Sequence, residues 1–166
     1  MSLLAIFQWL QSTEIATALR ESSYAYPIIM ASHLTGMALF GGMILMTDLR
    51  ILGVVMRGYS VTDVVGQLRL WKRIGLVLTA GCGIFLAWSK AEFYYHNPFF
   101  WTKMMLLLLV AVHALIFRRS VYNNTAEIDR APIMPTNAKV AACLSLALWV
   151  GIVSAGRLIG YYEVKP

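Results

Sequence analysis

Charge is scarce in this chain: of 166 residues, 8 are Asp or Glu and 14 are Lys or Arg. Soluble domains are about a quarter charged. Here 13% of residues are charged and 59% are hydrophobic, more apolar surface than one water-exposed core of this length covers. A bilayer accepts such surface directly, and a mean hydropathy of +0.67 points to an integral membrane protein of one domain. Cysteine is almost absent as well. Cys82 and Cys143 both lie inside apolar runs, which leaves neither a disulfide framework nor a thiolate metal site. A P-loop, a nucleophile elbow and a carboxylate pair within an apolar run are all missing, so hydrolase and nucleotide chemistry have no support. The net charge of +6 is spread between apolar blocks and forms no single basic face, which sets nucleic acid aside as a partner.

What the chain does have is four stretches of about 20 mostly apolar residues, at 26–47, 74–93, 99–117 and 140–159. Aromatic and basic residues bound them, among them Tyr24, Tyr26, Trp71, Trp101, Tyr161 and Tyr162, as interfacial anchors do. The expected fold is an all-α integral membrane protein, a four-transmembrane-helix bundle in which sequential spans joined by short connections pack as antiparallel neighbours. The connections at 48–73 and 118–139 hold nine cations. The opposite side holds five, Arg20, Lys90, Lys103, Arg157 and Lys165. The positive-inside rule then puts both termini on the periplasmic side of a bacterial inner membrane. Residues 1–22 lack the basic start of a signal peptide and intersperse Gln8, Gln11, Glu14 and Arg20 among apolar residues. They read as an amphipathic helix lying at the interface, with Leu4, Phe7, Trp9 and Leu10 in the headgroups. A second short amphipathic helix is expected over 61–70, with Ser60 as its N-cap.

An ionisable residue inside hydrocarbon is costly and marks function by default. His33 shares one helical stripe with Met30, Gly36, Met37 and Phe40. An interior histidine suits haem iron, with Gly36 letting a flat macrocycle reach the backbone; the plainer alternative is a core histidine bonded to a neighbouring helix. At 1.5 Å of rise per residue, with Asp48 and Arg118 taken as the border, His33 and Lys103 both lie about 22 Å up, and Arg157 and Glu92 about 27 Å. These groups can converge on an anion such as a haem propionate, a carboxylate or a lipid phosphate. An Arg157–Glu92 ion pair and a snorkelling Lys103 are the plainer reading. His113 sits about 15 Å below His33, an offset that argues against one haem clamped by both histidines. It belongs to a second site or bonds across the bundle. Met30, His33 and Met37 together also fit copper(I). Gly75, Thr79, Gly83 and Ala87 recur every four residues, as do Gly156 and Gly160, and both stripes allow close helix contact. The first of them offers a surface for a second copy of the chain.

The stretch YAYPIIMASHLTGMALFGGMILMTDLRILG, the loop NPFFWTKM and the terminal SLALWVGIVSAGRLIGYY resemble an uncharacterised bacterial family of four-span membrane proteins, classed as a domain of unknown function. The resemblance covers nearly the whole chain. Its motif residues fall at Tyr26, Pro27, His33, Gly36, Asp48, Leu49, Arg50, Gly53, Asn97, Pro98, Lys103, Trp149, Gly156, Arg157 and Tyr161. Where that family often has a carboxylate before the histidine, this chain has Met30, and His113 and Arg118 stand where it has Asn and His. More distantly, a histidine followed by a Gly-containing apolar run in a first span is similar to copper-resistance D type proteins and to haem-binding membrane protoporphyrinogen oxidases. The expected function is that of a b-type haem protein in electron transfer, with quinone or a membrane oxidoreductase complex as partner, held by His33, Gly36, Lys103 and Arg157. The alternatives are a copper protein or a cofactor-free accessory subunit of a larger membrane complex.

Overall fold

Four helices are long and apolar enough to cross a bilayer. The structure is a computed structural model that describes residues 2–162, apart from the Arg118 side chain; Lys165, counted above among the cations, lies outside the described residues. The elements are α1 (Leu3–Ser12), α2 (Glu14–Glu21), α3 (Ala25–Ile51), α4 (Val61–Ser89), α5 (Ala91–His96), α6 (Pro98–Phe117), a π-helical turn (Arg118–Tyr122), α7 (Thr125–Arg130) and α8 (Thr136–Ile159). The spans are α3, α4, α6 and α8. The end bearing α1, α2 and α5 is called the cap end, and the opposite one the loop end.

The expected interfacial helix over 1–22 is two helices that turn at Thr13. That residue has extended backbone (φ −64°, ψ 149°); its N–H closes α1 on the Leu10 carbonyl and its hydroxyl accepts from the Ala16 N–H to start α2. The pair rests on the protein as well as at the interface. Trp88 Nε1 donates to the Leu10 carbonyl and the Thr13 hydroxyl, and Arg20 donates to the carbonyls of Gln11 and Ser89. Phe7 packs against the rings of Tyr95 and Trp101, so it faces inward, while Leu3, Ile6, Trp9 and Ile15 remain exposed on the outer side where headgroups meet apolar side chains.

The separate helix expected over 61–70 is the first part of α4. Ser60 caps it, its hydroxyl accepting from the Asp63 N–H at 2.9 Å, but no Gly or Pro interrupts 67–74 and the helix continues into the membrane. With 29 residues it is about 44 Å long, against a hydrocarbon core of about 30 Å. The excess projects at the loop end, where Ile51, Val61, Val121, Ile128, Ala138, Ala141 and Ala142 form a buried cluster.

Neighbour relations depart from the expected sequential order. Among the described residues α3 packs on α4 and on α8, and α8 packs on α6, but no Cα of α4 comes within 8 Å of one of α6. The two spans with the shortest connection are therefore not neighbours. α5 and the buried Asn97 account for this. Asn97 Oδ1 accepts from the Phe99 and Phe100 N–H groups while Nδ2 donates to the Ile159 carbonyl, so the start of α6 is fastened to the end of α8 instead of to α4. The bundle is open along the α4/α6 side.

At the loop end Asp129, just before the end of α7, accepts from the Val61 N–H (2.7 Å), the Thr62 N–H (2.9 Å) and the Thr62 hydroxyl (2.7 Å), satisfying donors that the first turn of α4 leaves free. Burial alone would raise its carboxyl, but these hydrogen bonds and the Arg50 charge together hold it below the ordinary carboxylate value. Its stabilising contribution is thus present above the ordinary carboxylate value and lost as pH falls from there through the lower value of the folded state. Asp129→Ala should cost about 1 kcal/mol and flatten the fall of thermal stability between about pH 5 and 3; an unchanged melting profile across that range would overturn the assignment.

Candidate functional site

A close approach of α3 to α4 sets the position of the central histidine. A Cβ on Gly36 would lie 2.7 Å from Thr79 Oγ1 and 2.9 Å from Thr79 N, and one on Gly75 would lie 2.8 Å from Phe40 N. Only glycine permits such approaches. The stripe Gly75, Thr79, Gly83 is therefore filled by α3 inside the monomer and offers no surface to a second copy. Gly36 is likewise buried against α4, so it cannot be the platform expected to receive a macrocycle.

Two turns beyond Gly75, Gly83 leaves room for an imidazole. A Cβ there would lie 3.0 Å from His33 Cε1, and His33 Nδ1 is 2.9 Å from the Thr79 carbonyl oxygen. A carbonyl only accepts, so the hydrogen bond puts the proton on Nδ1 and leaves the Nε2 lone pair free. Lys103, from α6, is close enough for its charge to act on His33. Its Nζ would lie 3.6 Å from a Cβ on Gly156, so the absent side chain on α8 gives the ammonium its berth. Among the described residues no carboxylate acts on the buried Lys103 ammonium.

The other expected members lie elsewhere. Arg157 is exposed; it donates to the Tyr161 hydroxyl at 2.9 Å and stacks on that ring, one turn along its own helix. Glu92 does not pair with it and accepts instead from the side-chain amides of Gln8 and Gln11. Met30 and Met37 are half-buried on α3, about one turn to either side of His33. His96 ends α5, exposed, edge-on to Tyr95. His113 is buried, and its Nε2 donates to the Ala141 carbonyl at 2.9 Å, the cross-bundle bond weighed above.

A second polar group went unread in the sequence. Asp48, taken there as the membrane border, is 1% exposed. It lines a cavity of about 140 Å³ with Thr47, Lys72, His113, Tyr122 and Ser145. Lys72 donates to the Thr47 hydroxyl at 3.3 Å, and the Ser145 hydroxyl lies beside both Asp48 and Tyr122. Burial, and after it the Asp48 charge, push the Tyr122 phenol up, so it remains an O–H donor at physiological pH. Asp48 follows Phe40 and Ile44 at intervals of four, and Ser145 follows Ala138, Ala141 and Ala142 on one face of α8. That register was the available signal. An open groove at the cap end, about 440 Å³ and lined by Arg20, Lys90 and Glu92 among others, has its cations engaged: Arg20 by carbonyls and Lys90 over the Tyr26 ring at 4.6 Å.

A family model matches residues 7–162, from α1 to the last residue described. The chain belongs to DUF6644, a family of unknown function. No curated protein and no solved structure matches it.

The His33 geometry is open to test by glycine replacement. Gly81→Ala, where a Cβ meets nothing within 4 Å, should stabilise the bundle by about 0.5–1 kcal/mol through helix propensity. Gly83→Ala should forfeit that gain and displace the imidazole from the Thr79 carbonyl, seen as a changed His33 nitrogen chemical shift. Equal stabilisation by both replacements with an unmoved His33 signal would refute the placement.

Proposed function

We propose that this protein is a bacterial inner-membrane carrier of b-type haem serving electron transfer, with His33 as the axial ligand. The observation that carries the reading is the hydrogen bond from His33 Nδ1 to the Thr79 carbonyl. It fixes the tautomer and ring orientation in the manner of metal-ligating histidines, whose second nitrogen is held by a carbonyl or carboxylate. The residues fit the group in two further respects. Lys103 is a half-buried ammonium without an anion among the described residues, which suits a propionate, and it lies near enough for its charge to act on His33. Arg157, held at the cap end by Tyr161, supplies a second cation at the membrane surface. The 140 Å³ cavity at Asp48 is too small for a macrocycle, since ligand pockets run to about 300 Å³ and above. Bound haem would supply reversible one-electron chemistry; the chain would hold it by the His33 imidazole and the Lys103 cation. His113 is committed to Ala141 and is not the second ligand.

Absorption of the purified protein decides. Protein produced with adequate haem, or reconstituted with hemin, should show a Soret band at about one haem per chain, lost in His33→Ala and kept in His113→Ala. Lys103→Met should weaken haem retention several-fold. A colourless protein that takes up no hemin would end this reading. Bound copper lost in His33→Ala, or stoichiometric co-purification of a colourless chain with another membrane complex, would replace it. For orientation we place the cap end, with both termini, in the periplasm, since the loop end holds Arg50, Arg57, Arg69, Arg119 and Arg130. Cysteine introduced at Tyr59 should be labelled only after permeabilisation and one at Ser2 in intact cells, and the reverse pattern would invert the topology.

A further inference from the structure

We propose that the cavity lined by α3, α4, α6 and α8 near the loop end is a hydrated proton-exchange site centred on Asp48, independent of any group at His33. Three observations carry it. Asp48 Oδ2 is fully buried and has no hydrogen-bond partner among the described residues, and a buried carboxyl oxygen left without a donor is costly in any environment that excludes water. The cavity it lines holds about 140 Å³, room for about four waters at roughly 30 Å³ each. Beside apolar side chains such as Phe40, Ile44 and Trp149, the wall carries groups that order water: the Ser145 hydroxyl, the Tyr122 phenol and the Lys72 ammonium as donors, and His113, whose Nδ1 is left an acceptor once Nε2 donates to Ala141, while the Thr47 hydroxyl gives its proton to the Met43 carbonyl. A buried water needs two to four such partners.

The same inventory excludes other occupants. With one carboxylate facing one ammonium the chamber is close to neutral, and a hard divalent cation, which takes several oxygen ligands with carboxylates among them, would meet Lys72. An anion would meet Asp48. Water and the proton remain. The groups that face Asp48 are Lys72 from α4, itself under the influence of Arg69, His113 from α6, Tyr122 from the π-helical turn, and Ser145 from α8. Asp48 stands three residues from the end of α3, about 4.5 Å of helix, so its proton comes from the solution at the loop end. In the step itself a hydronium carried on the internal waters gives its proton to Oδ2. An O–H bond forms on the carboxyl, one O–H bond of the hydronium breaks, and its electron pair stays on the water left behind. Release is the reverse, and nothing is oxidised or reduced.

Infrared difference spectroscopy of the full-length protein in lipid nanodiscs tests this as pH is stepped between about 9 and 4. The expected result is a carboxylic C=O band that grows on acidification, shifts in D₂O, and is lost in Asp48→Asn. Lys72→Met, which removes the cation beside the carboxyl, should move the pH at which the band appears by about one unit or more. Should Asp48→Asn fail to fold, Ser145→Ala keeps the question answerable, because loss of the neighbouring hydroxyl shifts the frequency of an Asp48 band and of no other carboxyl. A band indifferent to D₂O means a sealed acid and overturns the proposal. So does a band retained in Asp48→Asn, unmoved in Ser145→Ala, or absent from the unmodified protein.

Discussion

Everything in this bundle hangs from the close approach of α3 to α4. Between helices in lipid there is no hydrophobic driving force, since acyl chains are as apolar as leucine, so adhesion comes from van der Waals contact and hydrogen bonds and grows steeply as backbones near each other. Gly36 against Thr79 and Gly75 against Phe40 bring the two backbones to contact. Once they are there, the space at Gly83 and the Thr79 carbonyl fix where the His33 ring lies. The histidine is thus oriented by the same surface that holds the helices together. Any larger side chain along that stripe acts on both at once.

Concentrating the tight contact in one helix pair has a consequence for the other two spans. α6 is tied to the rest through α8 and through Asn97 at the cap end, with no backbone approach to α4. Four helices arranged as α4, α3, α8, α6 leave one side unclosed, which lipid or a ligand must cover. The ends make up for what the middle lacks. At the cap end Arg20, Trp88 and the glutamines of α1 stitch α1 and α2 to the end of α4 and to α5. At the loop end Asp129 ties α7 to the start of α4. Polar bonds collect there because unfilled donors and acceptors are tolerable only where water or a partner is within reach.

The four spans were legible because about 20 apolar residues in succession have one physical interpretation, and His33 and Lys103 stood out because charge inside such runs is costly. Depth arithmetic along straight helices was enough to put the two at one level. Rotation about a helix axis was not available in the same way. Gly36 and His33 lie on one stripe, yet the stripe faces α4, so the glycine is consumed by packing; and Arg157 turns to Tyr161 on its own helix. Asp48 was misread for a related reason. A charged residue at the end of an apolar run looks like the water boundary, whereas α3 continues to Ile51 and the projecting parts of α4, α7 and α8 build a core around it. That core depends on long-range pairing of Val61, Val121, Ile128 and Ala138, which no local pattern announces.

The two polar sites differ in charge balance, and that difference bears on what each can hold. His33 and Asp48 are 15 residues apart on one helix, about 22 Å, beyond the roughly 8–10 Å over which exposed charges interact at moderate salt, although in a medium of low dielectric the screening is weaker. In the cap half the Lys103 charge acts on the His33 imidazole, and among the described residues no carboxylate acts on either, a balance that would suit an anion. In the loop half Asp48 and Lys72 cancel, which leaves a site that gains a net positive charge when it takes up a proton. Two helices contribute a titratable group to both sites: α3, through His33 and Asp48, and α6, through Lys103 and His113.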